Sequence, residues 1–190
     1  MEILEIKDLE TLAKKRVPKM FFDYVNSGSW TETTYNENVS DFQKIKLRQR
    51  VAIDMSNRTL ETKMINQPVS MPVAIAPTGL TGMQRADGEI LAAQAAEEFG
   101  IPYTLSTMSV CSIEAVAEKT KKPFWFQLYV MKDKKFMERL IDRAKEAKCS
   151  ALVLTLDLQL LGQRHKDLRN GLSTPPKLIP KHIYQVLTRP

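Results

Sequence analysis

Cysteine is scarce in this sequence of 190 residues, which contains only Cys111 and Cys149. The two lie too far apart to form a CxxC motif, so neither a metal knuckle nor a redox pair is indicated, and no metal site is expected. Cysteines spaced in this way are typical of buried thiols in a reducing compartment. We therefore expect both thiols to be buried and reduced.

Long apolar runs are missing as well. No uninterrupted apolar stretch approaches the roughly eighteen residues that a membrane-spanning helix needs. Residues 1–8 lack the basic start and the apolar core of a signal peptide. These absences predict a cytoplasmic chain without a leader or a spanning helix. The length and the 43% hydrophobic content predict one globular domain with a sizeable core.

Positive charge gathers towards the end of the sequence. Residues 162–190 contain a single acid, Asp167, and carry most of the formal net charge of +6. The basic residues there are Arg164, Lys166, Arg169, Lys177, Lys181 and Arg189. Such a segment attracts phosphate or an anionic membrane surface, or it is simply solvated. Nucleic acid is not expected as a partner, because no recognition module or basic–aromatic pattern accompanies the charge.

The first part of the sequence indicates helices followed by a connection. Two short helices are predicted within residues 8–27, the second opened by Pro18 and closed by Gly28. Tyr24 falls on the apolar stripe of that second helix, so the spacing alone favours a core aromatic. Residues 30–70 are polar and mixed, which indicates an extended connection or a short hairpin.

From residue 72 short apolar runs alternate with amphipathic stretches. Strands are predicted at 72–77, 102–106, 123–129 and 151–157, and helices at 87–99, 113–119 and 133–148. Ser112 is expected to cap the second of these helices. The repetition is typical of βα units with a parallel sheet. Residues 160–180 indicate a loop, followed by one or two helical turns at 183–187.

Two α/β architectures fit this alternation, a doubly wound sheet and a (β/α)8 barrel. The first places phosphate at a glycine-rich turn, and residues 78–82 match that motif only loosely. The barrel gathers ligands at the carboxyl ends of its strands, where all four predicted strands carry polar groups. We therefore predict a barrel of which four units, residues 71–160, are present. Residues 1–70 would pack on it as a helical and extended segment, and residues 161–190 would form a basic loop.

Gln127 stands out in the otherwise apolar and aromatic strand predicted at 123–129. An amide in a strand buried on both faces costs a few kcal/mol unless it finds hydrogen-bond partners. A bound polar ligand would supply those partners. The sequence therefore predicts that Gln127 faces a ligand.

Short motifs at these strand ends recur in a recognisable order along nearly the whole sequence. They are Asp23-Tyr24, Ser27-Gly28, Ala76-Pro77-Thr78, Leu105-Ser106-Thr107, Phe126-Gln-Leu-Tyr129, Thr155-Leu-Asp157 and Gly162-Gln-Arg164. Together they resemble the FMN-dependent α-hydroxy-acid oxidising family. Within that family the sequence is most similar to the quinone-linked bacterial L-lactate dehydrogenases, and it corresponds to their N-terminal half only.

The resemblance implies a role for each matching residue. Contacts with FMN would come from Pro77, Thr78, Gly79, Ser106, Gln127 and Thr155. The carboxylate of a small 2-hydroxy acid would be held by Tyr24 and by Arg164, the arginine through a bidentate charge-assisted pair. Tyr129 would contact the substrate near its hydroxyl or carboxylate, and Asp157 would support the catalytic base. Met108 stands where glycolate oxidases carry a tryptophan, which argues against glycolate oxidase and leaves the preferred hydroxy acid open.

The resemblance also implies a catalytic histidine within a His-Gly-Gly-Arg segment, which this sequence does not contain. His165 and His182 are its only histidines, and each is expected to be a polar loop residue rather than a base. No catalytic base is therefore predicted within these residues. The sequence after residue 187 reads as a break in a longer gene, so we expect the rest of the site to lie in a second half.

Three interpretations follow, and the sequence leaves them open. The chain is one half of a split FMN-dependent L-lactate dehydrogenase whose other half is a separate chain, or it is a non-catalytic truncated remnant. The third is a module that binds anions or a membrane surface through its basic end, which is compatible with the first because the bacterial lactate dehydrogenases associate peripherally with the inner membrane. The oligomeric state, including a homo-oligomer, is also left open.

Overall fold

The computed structural model describes residues 2–173 and 179–188. Contacts within the chain group it into two units, one of residues 1–53 with 160–190 and one of residues 54–159. Each unit is described by itself below. The division into 1–70, 71–160 and 161–190 stays a prediction.

The helices and strands alternate through most of the second unit, as the sequence predicts. In chain order the elements are α1 Ile6–Arg16, α2 Lys19–Val25, α3 Thr33–Ser40, a 3-10 turn Asp41–Lys44, β1 Thr62–Met64, β2 Gln67–Val69, α4 Thr81–Gln84, α5 Gly88–Phe99, β3 Thr104–Leu105, α6 Ile113–Lys119, β4 Trp125–Tyr129, α7 Lys134–Glu146, β5 Ala151–Thr155, α8 His165–Asn170 and α9 Pro180–Thr188.

A parallel three-stranded sheet in the order β3-β4-β5 forms the centre of the second unit. Trp125 pairs with both Thr104 and Ala151, and Tyr129 pairs with Thr155. Since the strands are parallel, their carboxyl ends lie at one edge of the sheet. This edge holds the predicted site residues of β4 and β5.

The first predicted strand, at 72–77, is shorter than expected. Only Ile75 pairs with the sheet, through a parallel bridge to Tyr103. Its N–H donates to the carbonyl of Pro102 at 2.9 Å, and its carbonyl accepts from the N–H of Thr104 at 3.1 Å. Proline at 72 and 77 limits this strand, because proline has no N–H to add to a ladder. The expected four strands are therefore three strands and one bridge.

One face of the sheet packs on helices and forms the core. Leu105, Phe126 and Leu128 are buried against residues of α5, α6 and α7, among them Ala96 and Val116. The first four residues of β4 are buried on both faces, as its apolar sequence predicts. This packing fixes the strand that carries Gln127.

Helix ends in this unit follow the sequence closely. The hydroxyl of Ser112 accepts from the N–H of Ala115 at 3.1 Å, which confirms the predicted cap of α6. Asp133 caps α7 in the same way through the N–H of Phe136. Helix α5 ends at Gly100, whose φ of +79° favours glycine.

The two cysteines lie in this unit and correct one expectation. Cys111 and Cys149 are free but only half-buried. Burial raises the pKa of the Cys149 thiol to about 11, and burial followed by the nearby Glu89 raises that of Cys111. Both thiols are therefore protonated near neutral pH.

The first unit contains two helices that the sequence pattern did not indicate. Helix α3 lies in the segment expected to be extended, and α8 lies in the segment expected to be a loop. Neither has an apolar stripe of the usual kind: α3 buries no residue and α8 buries only Asn170. In the second unit, the hairpin β1–β2 agrees with the short hairpin predicted within residues 30–70.

Gly28 does not end α2 as predicted. The helix ends at Val25 with Asn26 as its C-cap, and Gly28 is not in the left-handed region. A Cβ at Gly28 would lie 2.7 Å from the Cβ of Tyr35, so close packing requires glycine there.

In the described part of the chain, no helix combines the length and the apolar character needed to cross a bilayer.

Candidate functional site

A hydrogen-bonded network surrounds Gln127 at the carboxyl edge of the sheet. Gln127 is 1% exposed, and Ser106 is buried beside it. The amide oxygen accepts from the hydroxyl of Ser106 at 3.3 Å and from the N–H of Thr107 at 3.2 Å. The amide nitrogen donates to the hydroxyl oxygen of Thr155 at 2.7 Å. The structure thus brings together three of the residues predicted to contact FMN.

The register of the sheet explains why these residues meet. Side chains alternate along a strand, so Gln127 and Tyr129 lie on the face opposite Phe126 and Leu128. Thr155 pairs with Tyr129 and therefore lies on the same face, diagonal to Gln127.

The network answers the question that the buried amide raised. The sequence suggested that a ligand supplies the partners of Gln127, but Ser106, Thr107 and Thr155 already supply them. The physical reason is that polar residues end the strands on both sides of β4. The protein itself therefore pairs the oxygen and one N–H of this amide, and a ligand is needed at most for the second N–H.

The backbone fixes the orientation of the amide and leaves some hydrogen-bonding capacity open. Since the N–H of Thr107 can only donate, the group facing it is the oxygen of Gln127. The hydroxyl of Ser106 is held on both sides, because it also accepts from the N–H of Met108 at 3.0 Å. One N–H of the Gln127 amide and the hydroxyl proton of Thr155 have no other partner among the described residues. These donors suit the carbonyl and ring nitrogen acceptors of a flavin.

Residues 77–79 lie in the turn after Ile75. Pro77 and Thr78 are exposed, and Gly79 is half-buried. The next residue, Leu80, donates its N–H to the carbonyl of Met108 at 2.9 Å, which ties this turn to the segment after β3. Met108 itself is half-buried.

Tyr129 and Asp157 mark the ends of β4 and β5. Tyr129 is half-buried, and its N–H donates to the hydroxyl of Thr107 at 3.2 Å. Asp157 is exposed, two residues beyond β5. Their roles towards the substrate and the base stay predictions.

Arg164 and Tyr24 lie together in the first unit. The guanidinium carbon of Arg164 is 4.8 Å from the centre of the Tyr24 ring, a cation–π contact. One terminal nitrogen donates to the carbonyl of Tyr24 and, at 3.0 Å, to the hydroxyl of Ser27. The Nε atom is 2.8 Å from a carboxylate oxygen of Asp167. These contacts hold the side chain and leave the other terminal nitrogen without a partner in residues 2–173 and 179–188.

Asp167 is the ionisable partner of this arginine. Burial raises the pKa of its carboxyl group above the usual value, although Arg164 acts in the opposite direction. Burial therefore favours the neutral carboxyl group, whereas the facing guanidinium favours the charged one.

Neither histidine is the polar loop residue that the sequence suggested. His165 is the first residue of α8, and its ring lies edge-on to that of Trp30 with centroids 5.8 Å apart. His182 lies in α9, 1% exposed, with Nε2 2.7 Å from the carbonyl oxygen of Asn170. The contact with this carbonyl accounts for the burial of the His182 ring. A polar residue in a basic segment gives no sign of such burial in the sequence. Among the described residues, no group of three or more His, Cys, Asp or Glu could hold a metal ion.

Glu89 is a buried residue that sequence reasoning missed. It lies in the first turn of α5 and is 0% exposed. Burial opposes its ionisation, but the N–H groups of Val110 and Gly82 outweigh burial and hold the pKa of the carboxyl group below its usual range. A glutamate at a helix start is usually solvated and near the helix dipole, so the pattern gave no signal.

Comparison with known proteins identifies the family to which this arrangement belongs. Residues 13–190 match the model of the FMN-dependent dehydrogenase family. The chain belongs to this family, whose cofactor is FMN. The spare donors around Gln127 fit such a group.

Individual relatives agree with that assignment. L-lactate dehydrogenase of Acinetobacter baylyi is 46% identical over 98% of the chain, and that of Acinetobacter baumannii is 48% identical over 94%. The chain covers 49% and 47% of their lengths, so it spans about half of the curated relatives it matches.

Solved structures of related proteins show the same fold. A monotopic membrane protein, (S)-mandelate dehydrogenase, is 33% identical with a TM-score of 0.91, covering 100% of this chain and 51% of that one. Mandelate oxidase is 32% identical with a TM-score of 0.83, covering 93% and 50%.

Replacing Gln127 by alanine should test the network. The change leaves the N–H of Thr107 and the hydroxyls of Ser106 and Thr155 without their buried partner, so we expect a loss of about 2–4 kcal/mol in the free energy of unfolding. Urea unfolding followed by circular dichroism measures this. The matched control is Gln94→Ala, which removes an exposed amide bonded to the carbonyl of Lys119 and should cost at most about 1 kcal/mol. Equal losses in the two variants would contradict the network.

Proposed function

We propose that this chain forms the part of an FMN-dependent L-lactate dehydrogenase that binds the flavin edge and the substrate carboxylate. The observation that carries the proposal is the network of Ser106, Gln127 and Thr155 at the carboxyl ends of parallel strands. Parallel α/β proteins bind ligands at this edge. The relatives named L-lactate dehydrogenase support lactate as the hydroxy acid.

The sheet fits a (β/α)8 barrel completed by further units. Strand β5 is the last of the sheet, and the side chains of Leu152 and Leu154 are 47% and 49% exposed. On the same face of β4, Phe126 and Leu128 are covered by helices. An apolar strand of a parallel sheet normally has such cover on both faces and a partner on each edge. We infer that the remaining units of the barrel provide this cover and a partner for β5.

The role of Arg164 follows from its contacts in the first unit. Asp167, Ser27 and Tyr24 fix the guanidinium, and one terminal nitrogen keeps its donors for a ligand. A planar group held in this way suits a carboxylate. Tyr24, stacked on the guanidinium, would join it in holding the acid.

The chemistry itself needs groups that this sequence lacks. Bound FMN would supply the acceptor for the hydride of the hydroxyl-bearing carbon of the substrate. The chain's own residues would orient the flavin through Gln127 and Thr155 and hold the carboxylate through Arg164. The proton of the substrate hydroxyl needs a base, and no His-Gly-Gly-Arg segment is present to supply one.

The competing interpretation is a truncated remnant without catalytic function. The alternatives differ in whether a second half restores activity.

We expect the chain alone to hold FMN weakly and to oxidise no lactate, because the base and much of the flavin site are absent. Co-expression with the part of the Acinetobacter baylyi relative that the chain does not match should restore lactate-dependent dye reduction. The same pair carrying Gln127→Ala serves as the control and should lose FMN. A yellow preparation of the chain alone whose flavin band bleaches with lactate would overturn the proposal that these residues form only part of the site, and an inactive FMN-free pair would favour the remnant.

In an active pair, Arg164→Lys should raise the KM for lactate by about tenfold or more, because lysine cannot offer a planar fork to the carboxylate while held by Asp167. Steady-state kinetics measures this. The matched control is Arg169→Lys, an exposed position on the same helix, α8. An unchanged KM in the Arg164 variant would exclude carboxylate binding by this residue.

A peripheral place on the inner face of the cell membrane is supported by α9. Ile183, Val186 and Leu187 are exposed apolar residues on this helix, and Lys181 in its first turn is exposed. An apolar surface beside basic residues suits the interface of an anionic bilayer. The structural relative described as a monotopic membrane protein is consistent with this.

The chain should therefore sediment with vesicles containing anionic lipid and much less with zwitterionic ones. Leu187→Gln should weaken sedimentation, because it removes apolar area from the interface. Leu4→Gln, which changes an exposed leucine of the N-terminal segment, is the control. Equal sedimentation with both lipids and in both variants would argue for a merely solvated basic segment.

A further inference from the structure

A single buried carboxylate oxygen accepts hydrogen bonds from two separate segments of the second unit. Oε1 of Glu89 accepts from the N–H of Gly82 at 3.0 Å and from the N–H of Val110 at 2.9 Å. Gly82 lies in α4, after the turn 77–80, and Val110 lies in the segment 106–111 that follows β3. Glu89 belongs to neither, since it projects from the first turn of α5.

The two segments are also in direct contact. Leu80 donates its N–H to the carbonyl of Met108 at 2.9 Å. A Cβ at Gly82 would lie only 2.7 Å from the Cβ of Val110, so the segments pack with no room for a methyl group. The distance between the two segments is therefore set by these direct contacts together with the two hydrogen bonds to Glu89.

These segments carry residues assigned above to the flavin. Pro77, Thr78 and Gly79 precede the first contact with Glu89, and Ser106 lies four residues before the second. Ser106 in turn donates to Gln127 and accepts from Met108. A shift of either segment would therefore move groups that the proposed function places against FMN.

Burial of the Glu89 carboxylate costs free energy that a role confined to its own helix would not require. A carboxylate that is 0% exposed loses its hydration, and this loss must be offset by hydrogen bonds to the charged form. Here the offset comes from backbone N–H groups of two separate segments, so removal of the acceptor oxygen affects both. A glutamate that served only its own helix would remain solvated in the first turn.

We propose that Glu89 is a positioning residue that fixes the spacing of segments 77–84 and 106–111, and through them the groups that face FMN. The proposal rests on the proposed function for its link to the cofactor. The joining of the two segments stands on geometry alone.

Hydrogen exchange of the 190-residue chain, followed by mass spectrometry of peptides covering 79–84 and 107–112, tests the joining. Glu89→Ala should speed exchange in both peptides by about tenfold or more, because two hydrogen bonds to a charged group are lost. Glu89→Gln should restore protection to within about threefold, since its amide oxygen can accept both bonds.

Two further variants keep the test decisive. Glu97→Ala is the matched control on the same helix: it removes a carboxylate that accepts from the N–H of Lys121 at 2.8 Å, and it should leave both peptides unchanged. Gly82→Ala keeps the carboxylate but places a Cβ 2.7 Å from the Cβ of Val110 and 3.0 Å from Oε2 of Glu89, so it should push the segments apart and speed exchange in both peptides.

The link to the cofactor is read from FMN affinity in the co-expressed pair, where Glu89→Ala should raise the dissociation constant at least about tenfold and Glu89→Gln should not. Unchanged exchange in Glu89→Ala would overturn the joining. Faster exchange with unchanged FMN affinity would overturn the positioning role and leave the proposed function intact. A wild-type pair that binds no FMN would count against the proposed function and the positioning role, whereas the exchange data would still decide the joining.

Discussion

The pairing of β4 with a parallel strand on each side is the constraint on which the rest of this structure depends. It places the ends of β3, β4 and β5 at one edge, and it puts Ser106, Gln127 and Thr155 within hydrogen-bonding distance of one another. The helices on the opposite face hold β4 through Phe126 and Leu128. A polar edge is thus built directly on an apolar core, and a strand buried on both faces carries an amide whose oxygen and one N–H are paired.

Two kinds of hydrogen bond make this edge rigid. Around Gln127 they are neutral and link its amide to Ser106, Thr107 and Thr155, whereas around Glu89 they join a buried charge to the backbone of two separate segments. Bonds to a charged group are the stronger kind, and they lie where the chain has no strand pairing to hold it. Rigid strands and tied loops together would present a prearranged surface to a flavin, which lowers the entropy that binding has to offset.

How much could be predicted differed between the two units, for a physical reason. In residues 54–159, apolar periodicity predicted helices α5 to α7 and strands β3 to β5 because burial against a common core imposes it, and the cap at Ser112 was confirmed. The strand predicted at 72–77 is reduced to a single bridge at Ile75, because two prolines limit its pairing. In the first unit, α3 and α8 have almost no buried residues, so their sequences lacked the signal on which such predictions depend. Glu89 was missed because a buried acid at a helix start resembles a solvated one.

The sequence by itself determined the family, the cofactor and the residue types at the strand ends, since these follow from short motifs in a fixed order. Tertiary structure alone decided what those residues do to one another. It showed that the protein itself pairs the oxygen and one N–H of the Gln127 amide, that Asp167 and Ser27 hold Arg164, and that His182 is buried. The reason is that partners such as Ser106 and Gln127, 21 positions apart, become neighbours only through the register of the sheet. No local pattern records that distance.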